Sequence, residues 1–145
     1  MAEATTNQLR VRLVTPERVL FECLADAVEL PSKSGYMEPL YGHAPLMAEL
    51  GAGDVTLHGG TCDGQIYNVS WGFVEVLPDR VTILANDALK PEEIDVPRAE
   101  KQLDRGLQEW KEAGDSEDAY TAALQRIAEA EAKIASAQKK TVVAH

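Results

Sequence analysis

Apolar and polar residues alternate in short segments through the first part of the chain. Residues 9–14 read LRVRLV, a period of two that is typical of a strand with one buried and one solvated face. Further segments of strand character occupy residues 18–21, 25–30, 54–58, 65–70, 73–77 and 80–84. Short strands this close together, with no helix between them, predict an antiparallel β-sandwich over residues 1–88, with a barrel as the related alternative.

The composition changes near residue 90. All seven prolines lie at or before Pro97, no valine occurs between Val96 and Val142, and alanine becomes frequent. These features indicate helix in the last third of the chain. We therefore predict a junction at residues 89–97, a helical hairpin at 98–140 and a polar tail at 141–145.

The hairpin carries its own start and stop signals. Asp95 is placed to cap a first helix, and Gly114 with Asp115 ends it, after which Asp115 or Ser116 caps a second. The spacing of Leu103, Leu107 and Trp110 predicts one shared apolar face. Because large apolar groups are few here, we expect the hairpin to dock reversibly and to be moved by a partner; a permanently docked cap is the alternative.

Charge and apolar run length exclude some classes of protein. The chain has 145 residues with 14 basic and 24 acidic side chains, a formal net charge of -10, which argues against a nucleic-acid partner. No apolar run approaches the ~20 residues that cross a bilayer, so no transmembrane segment is expected. The first ten residues lack the features of a signal or transit peptide, and we expect a reducing, cytoplasmic setting.

Residues with reactive side chains form no recognisable catalytic or metal motif. Cys23 and Cys62 have no CxxC spacing, and we interpret them as strand or turn residues, with thiol chemistry as the lesser alternative. The three histidines show no metal-ligand spacing to each other or to the cysteines. No catalytic residue and no metal site is predicted, and residues 51–53, Gly-Ala-Gly, predict a turn.

One loop and one arginine group stand out. Residues 35–45 carry tyrosine, methionine and leucine between glycines and prolines, so this loop either folds onto the core or meets a partner. His43 within it is interpreted as a turn residue rather than a base. In the helical part, Arg98, Arg105 and Arg126 near Asp95 could together hold a triphosphate and ribose. The alternative is salt bridging with acidic neighbours such as Glu100, Asp104, Glu109 and Glu129.

Five segments in a fixed order carry a resemblance to a known family. They are Val14-Thr15-Pro16-Glu17 with Phe21 downstream, Gly42-His43-Ala44-Pro45-Leu46, Gly72-Phe73-Val74-Glu75-Val76, Val81-Thr82-Ile83-Leu84-Ala85, and Ile94-Asp95-x-x-Arg98-Ala99. With the alanine-rich hairpin that follows, the chain resembles the ε subunit of F-type ATP synthases, which corresponds to the δ subunit of mitochondria.

The resemblance implies a ten-stranded β-sandwich followed by two helices, in a non-catalytic subunit that requires no cofactor. It implies a place in the central stalk, on the γ subunit and against the loops of the membrane c-ring, at the cytoplasmic face of the bacterial inner membrane. It further implies that the hairpin restrains ATP hydrolysis when it extends along γ into the α/β catalytic head.

The resemblance also assigns candidate residues. The loop that faces the c-ring and γ contains Tyr36, Glu38, Tyr41, Gly42, His43 and Pro45, and it departs from the family pattern at Tyr36, Glu38, Pro39 and Tyr41. The positions that hold ATP in some members match Asp95, Arg98, Arg105 and Arg126, whereas Leu89 and Ala130 replace an acid and an arginine, so ATP is expected at most as a weak regulatory ligand. Inhibitory contacts are expected from Arg126, Lys133, Lys139 and Lys140.

Two alternative functions remain at this point. One is an ATP-sensing module whose hairpin closes over the nucleotide. The other is an independent β-sandwich enzyme or carbohydrate-binding module, for which the strands offer only the scattered side chains of Tyr67, Trp71 and His58.

Overall fold

The computed structural model of the protein describes residues 7–143, and the side chains of residues 140–143 are not described. The chain divides into two compact units, Met1–Ala88 and Leu89–His145. The first unit is built from strands and the second from helices.

Seven strands form one continuous hydrogen-bonded sheet in the described part of the first unit. They are β1 Leu9–Val14, β2 Val19–Ala25, β3 Ala27–Ser32, β4 Gly35–Met37, β5 Leu46–His58, β6 Ile66–Leu77 and β7 Arg80–Leu89. Their order across the sheet is β2-β1-β7-β6-β5-β3-β4. The pairs β1–β2, β3–β4, β3–β5 and β5–β6 are antiparallel, as the sequence predicts. The pair β1–β7 is parallel, which corrects the purely antiparallel expectation.

The sheet wraps around a single core and so makes the predicted sandwich. Alternation in β1 is confirmed: Leu9, Val11 and Leu13 are fully buried, and the arginines between them are exposed. Inward residues of all strands except β4 join the same buried cluster. The ring of Phe21 on β2 lies 5.2 Å from the ring of Tyr67 on β6. Strands far apart in the sheet order therefore meet across the core.

The strand count and one turn differ from expectation. Residues 51–53 lie inside β5, so the predicted turn is wrong. Glycine is needed at 51 and 53 because a side chain there would collide with Ser32 or Tyr36. These glycines therefore mark a close approach of neighbouring strands. Segments 65–70 and 73–77 form one strand, β6, with positive φ at Trp71 and Gly72. Long strands such as these explain why seven are counted where the resemblance implies ten.

The second unit is a pair of helices with the expected caps. Helix α1 spans Val96–Glu112, and the Arg98 backbone N–H donates to Asp95 Oδ1 at 3.1 Å. Helix α2 spans Glu117–Val143, and the Ala119 N–H donates to Ser116 Oγ at 3.2 Å. Ser116 thus provides the second cap. Helix α2 continues three residues into the predicted tail, of which residues 144 and 145 lie outside the described residues.

Small residues line the contact between α1 and α2. Gly106 on α1, Ala113 at the C-terminal cap of α1 and Ala123 on α2 are buried, and we call them the helix seam. A Cβ atom at Gly106 would lie 2.9 Å from Ile127 Cγ1, so the two backbones approach closely there. The predicted apolar face is present, but Leu107 and Trp110 remain 41% and 42% exposed. The large apolar side chains are thus available on the surface of the unit.

Candidate functional site

The loop at residues 35–45 is held to the sheet by its backbone and by one side chain. Strand β4 opens the segment, where a plain loop was expected, and the Asp54 N–H donates to Tyr36 Oη at 2.9 Å. The Gly42 N–H donates to the Pro78 carbonyl at 2.7 Å. Leu40 forms an isolated bridge with Ala27. The loop is therefore anchored to β3, β5 and the β6–β7 turn.

The same loop presents apolar side chains outward. Tyr36 is 56% exposed, and Leu40 and Tyr41 are also exposed; we call these three the loop surface. An anchored backbone with outward rings is typical of a preformed contact surface, because little conformational entropy remains to be lost on binding. Of the two sequence alternatives, the loop folds onto the sheet, with Tyr36 lying against Gly53, while Leu40, Tyr41 and about half of Tyr36 stay exposed.

The remaining predicted residues of the loop have local roles. His43 Nδ1 lies 2.6 Å from the Ala44 carbonyl oxygen, so the ring donates there. His58 Nε2 lies 3.9 Å from Glu38 Oε2 and 3.8 Å from Glu29 Oε1. Gly42 has φ of 90° and Pro45 is exposed. The Glu38 carboxylate of the loop thus lies near His58, the last residue of β5.

Sequence reasoning missed a second apolar surface on the sheet. Met47 on β5 is 64% exposed, and Phe73 on β6 and Leu84 on β7 are about as exposed as the loop tyrosines; we call these three the sheet patch. Met47 pairs with Glu75 and Glu49 pairs with Phe73, so Met47 and Phe73 share one face. Gly72, which precedes Phe73, lies against the Leu84 carbonyl. The sequence did contain a signal for this patch: Phe73 alternates with the buried Val74 and Val76, so it falls on the solvent-facing side of the strand.

The four residues proposed for ATP form two separate groups within the helical unit. Asp95 is engaged as the cap of α1 through the Arg98 backbone. Arg105 Nε lies 3.6 Å from Glu109 Oε2, and Arg126 Nε donates to Glu109 Oε1 at 2.7 Å. Arg105 and Arg126 therefore share the carboxylate of Glu109, as the salt-bridge alternative predicts. Arg98 lies seven residues before Arg105, which is roughly 10 Å along the axis of α1.

The basic residues proposed for inhibitory contacts differ in their surroundings. Lys133 is only 11% exposed at its side chain, and its Nζ lies 3.1 Å from Glu129 Oε1. Lys139 is exposed. The Lys140 side chain lies outside the described residues. Arg126 and Lys133 thus already have anionic partners within the hairpin.

One of the three side chains considered for a sandwich enzyme or sugar-binding module, Tyr67, lies in the core. Tyr67 is buried against Phe21, so its ring offers no exposed stacking face. Among residues 7–143, no cluster of three or more histidine, cysteine or acidic side chains is arranged to hold a metal. Neither described helix is long and apolar enough to cross a bilayer.

Comparison with known proteins identifies the family. Residues 8–91 match the model of the ATP synthase Delta/Epsilon chain, beta-sandwich domain. This chain belongs to that family. An ATP synthase epsilon chain of Koribacter versatilis is 44% identical over 70% of this chain and 71% of the relative. The ATP synthase epsilon chain of Solibacter usitatus is 39% identical over 92% of this chain and 98% of its own length.

Solved structures of the family share the fold. A chain in the mitochondrial ATP synthase of Euglena gracilis aligns with a TM-score of 0.71 at 21% identity, covering 94% of this chain and 82% of that chain. A chain in the central stalk and c-ring structure from Tetrahymena thermophila aligns with a TM-score of 0.67 at 14% identity, covering 92% and 98%. Both alignments cover more than nine-tenths of this chain, so the shared fold includes residues of both units.

Proposed function

We propose that this chain is a non-catalytic subunit of the central stalk of an F-type ATP synthase, peripheral to the cytoplasmic face of the membrane. The observation that carries the proposal is the match to the Solibacter usitatus epsilon chain over nearly the whole of both chains. A match of this extent includes both units, so the proposal covers the sandwich and the hairpin alike.

The two apolar surfaces of the sandwich support contacts with two partners. The loop surface, Tyr36, Leu40 and Tyr41, is assigned to the loops of the c-ring, as the family resemblance implies. The sheet patch, Met47, Phe73 and Leu84, is assigned to the γ subunit. Exposed apolar side chains of this size lose contact with water when a partner covers them, and interface cores are rich in such residues.

A matched pair of substitutions tests the assignment of the sheet patch. Phe73→Glu places a charge in the centre of the proposed interface, whereas Val19→Glu places one at an equally exposed apolar position on β2. We expect Phe73→Glu to lower the yield of γ that co-purifies with the chain, and Val19→Glu to leave the yield unchanged. Equal yields of γ with both variants would contradict the assignment of the sheet patch to the γ subunit.

The helical unit supports a regulatory role in ATP hydrolysis. Leu107, Trp110, Tyr120 and Leu124 are exposed, and Lys139 is exposed nearer the C-terminal end of α2. These side chains suit an apolar and acidic surface on the α/β catalytic subunits. Because Arg126 and Lys133 already have carboxylate partners, that contact exchanges one ion pair for another. Its strength is therefore expected to come mainly from apolar burial.

Truncation inside the assembled synthase tests the regulatory role. Strand β7 ends at Leu89, so a chain that stops after Lys90 keeps the sheet whole and removes α1 and α2. We expect membranes with the truncated chain to retain proton-coupled ATP synthesis and to hydrolyse ATP faster than wild-type membranes. Equal hydrolysis, at equal content of the chain in the membrane, would contradict inhibition by the helices.

ATP sensing is a second candidate, and one observation favours it. The guanidinium groups of Arg105 and Arg126 converge within the hairpin, although Glu109 neutralises them. A triphosphate would have to displace that carboxylate. Calorimetry on the isolated chain tests this: saturable heat with ATP that Arg126→Ala abolishes supports sensing, and no heat at millimolar ATP excludes it.

A further inference from the structure

The two cysteines lie together at one edge of the sandwich. Cys23 is on the edge strand β2, faces inward and is 9% exposed. Cys62 is in the 3₁₀ turn Gly60–Cys62, between β5 and β6, and packs against the same core. They are 39 positions apart in sequence, so only the fold brings them together.

Neighbouring contacts fix the turn against the strand. The Leu24 N–H donates to Thr61 Oγ1 at 3.3 Å, so residues adjacent to the two cysteines are hydrogen-bonded to each other. Gly60 lies so close to the Leu24 carbonyl that a Cβ atom there would overlap it. The two segments that carry the cysteines are thereby held against each other.

The thiols interact directly. Both are free, and Cys62 is close enough to Cys23 to raise the pKa of the Cys23 thiol. Burial, and after it the neighbouring Cys62, together raise the pKa of the Cys23 thiol from 9.0 to about 12. Cys62 is only partly buried. The more accessible thiol is therefore the one that an external reagent meets first.

We propose that Cys62 is a site of S-thiolation by low-molecular-weight disulfides, and that Cys23 then converts the adduct into an intramolecular Cys23–Cys62 disulfide.

The reaction is two successive thiol–disulfide exchanges. The Cys62 thiolate attacks one sulfur of the reagent; a bond forms from Cys62 Sγ to that sulfur, the reagent's S–S bond breaks, and one reagent thiol leaves with the proton lost by Cys62. The Cys23 thiolate then attacks Cys62 Sγ, and the second reagent thiol leaves with the proton of Cys23. The protein loses two electrons and two protons, and the reagent disulfide gains them.

The order of the steps follows from the surroundings of Cys23. Before modification, Cys62 in its thiolate form carries a negative charge that helps to keep the neighbouring Cys23 protonated. Once Cys62 carries the adduct, it can no longer be charged, and burial is the main remaining cause of the raised Cys23 pKa. The more accessible Cys62 is therefore modified first, and the buried Cys23 held beside it is the resolving residue.

Oxidation should stabilise the sandwich. A Cys23–Cys62 bond ties the edge strand β2 to the connection between β5 and β6 and closes a long loop of the unfolded chain. Closure of such a loop lowers the entropy of the unfolded state, so we expect the melting temperature to rise by at least about 5 °C. Dithiothreitol should return it to the starting value.

The test uses the full-length chain with oxidised glutathione as the probe. Trypsin cuts after Arg18, Lys33 and Arg80, so residues 19–33 and 34–80 each contain one cysteine. We expect mass spectrometry of the unreduced digest to show these two peptides linked. Cys23→Val should instead accumulate glutathione on Cys62, and Cys62→Ser should show neither the adduct nor the rise in melting temperature.

Three results would overturn the proposal. They are a stable glutathione adduct on Cys62 of the wild-type chain without the linked peptides, an adduct on Cys23 before Cys62, and no reaction at either cysteine under conditions where the urea-unfolded chain reacts at both. Melting of each reduced variant confirms that it is folded. If Cys23→Val fails to fold, Cys23→Ser takes its place.

Discussion

Gly106 offers a test in which two physical effects predict opposite signs. It lies in the middle of α1, where glycine is about 1 kcal/mol less favourable than alanine or leucine, so helix propensity alone predicts that Gly106→Leu stabilises the hairpin. The structure predicts the reverse. The first added carbon would already lie 2.9 Å from Ile127 Cγ1 and 3.3 Å from the Ile127 backbone nitrogen.

The expected magnitude follows from the overlap. Carbon atoms pack at about 3.5–4.0 Å, so the first carbon alone requires a displacement of more than about half an ångström. The leucine side chain then adds three further carbons against the backbone of α2. Overpacking of this kind costs about 3 kcal/mol at the upper end of its usual range. After the gain in propensity, we expect a net loss of about 2 kcal/mol.

Hydrogen–deuterium exchange of the α1 and α2 amides provides the measurement. A loss of about 2 kcal/mol corresponds to roughly 30-fold faster exchange, whereas sandwich amides should be unchanged. Gly106→Ala should lie near wild type, since its gain and its cost are similar. Gly106→Leu combined with Ile127→Ala should recover part of the loss, because the smaller side chain leaves room. Slower exchange in Gly106→Leu than in wild type would refute the close approach of the two helices.

Three further expectations concern single residues. Asp95→Ala removes the cap of α1 and should cost about 1 kcal/mol, seen as faster exchange in the first turn, with Asp95→Asn as the retained-cap control. Gly72→Ala combines a φ of 134° with a collision at the Leu84 carbonyl, and should lower the melting temperature by about 8 °C or more. Because the pKa of Cys23 is raised in the folded state, the stability linked to this thiol is complete below pH 9.0 and falls as pH rises toward about 12. Denaturant titrations from pH 8 upward should show that extra loss in wild type relative to Cys23→Val, and parallel curves would contradict it.

Local signals in the sequence were sufficient where one segment decides its own structure. The alternation of residues 9–14 gave the burial of β1, and Asp95 was recognised as a cap because its partner is only three residues away. Both depend on interactions within one element. Such features are readable before any tertiary contact is known.

Contacts between distant segments were beyond the sequence pattern. The glycines at 51 and 53 look like a turn until Ser32 and Tyr36 are seen against them. The ion pair of Arg105 with Glu109 follows from helix spacing, whereas the approach of Arg126 depends on how α1 and α2 align. Met47 was missed as a surface residue because the first half of β5 was not recognised as a strand.

The parallel pairing of β1 with β7 has a consequence for biosynthesis. Arg10 pairs with Arg80, so the first strand leaves the ribosome about 70 residues before its neighbour exists. Until then β1 has only β2 beside it, and the long-range contacts that close the core are missing. Because synthesis adds only about 5–20 residues per second, the side of β1 that later pairs with β7 stays unpaired for several seconds. We therefore expect chaperones to bind most strongly to a nascent chain that is stalled before residue 80.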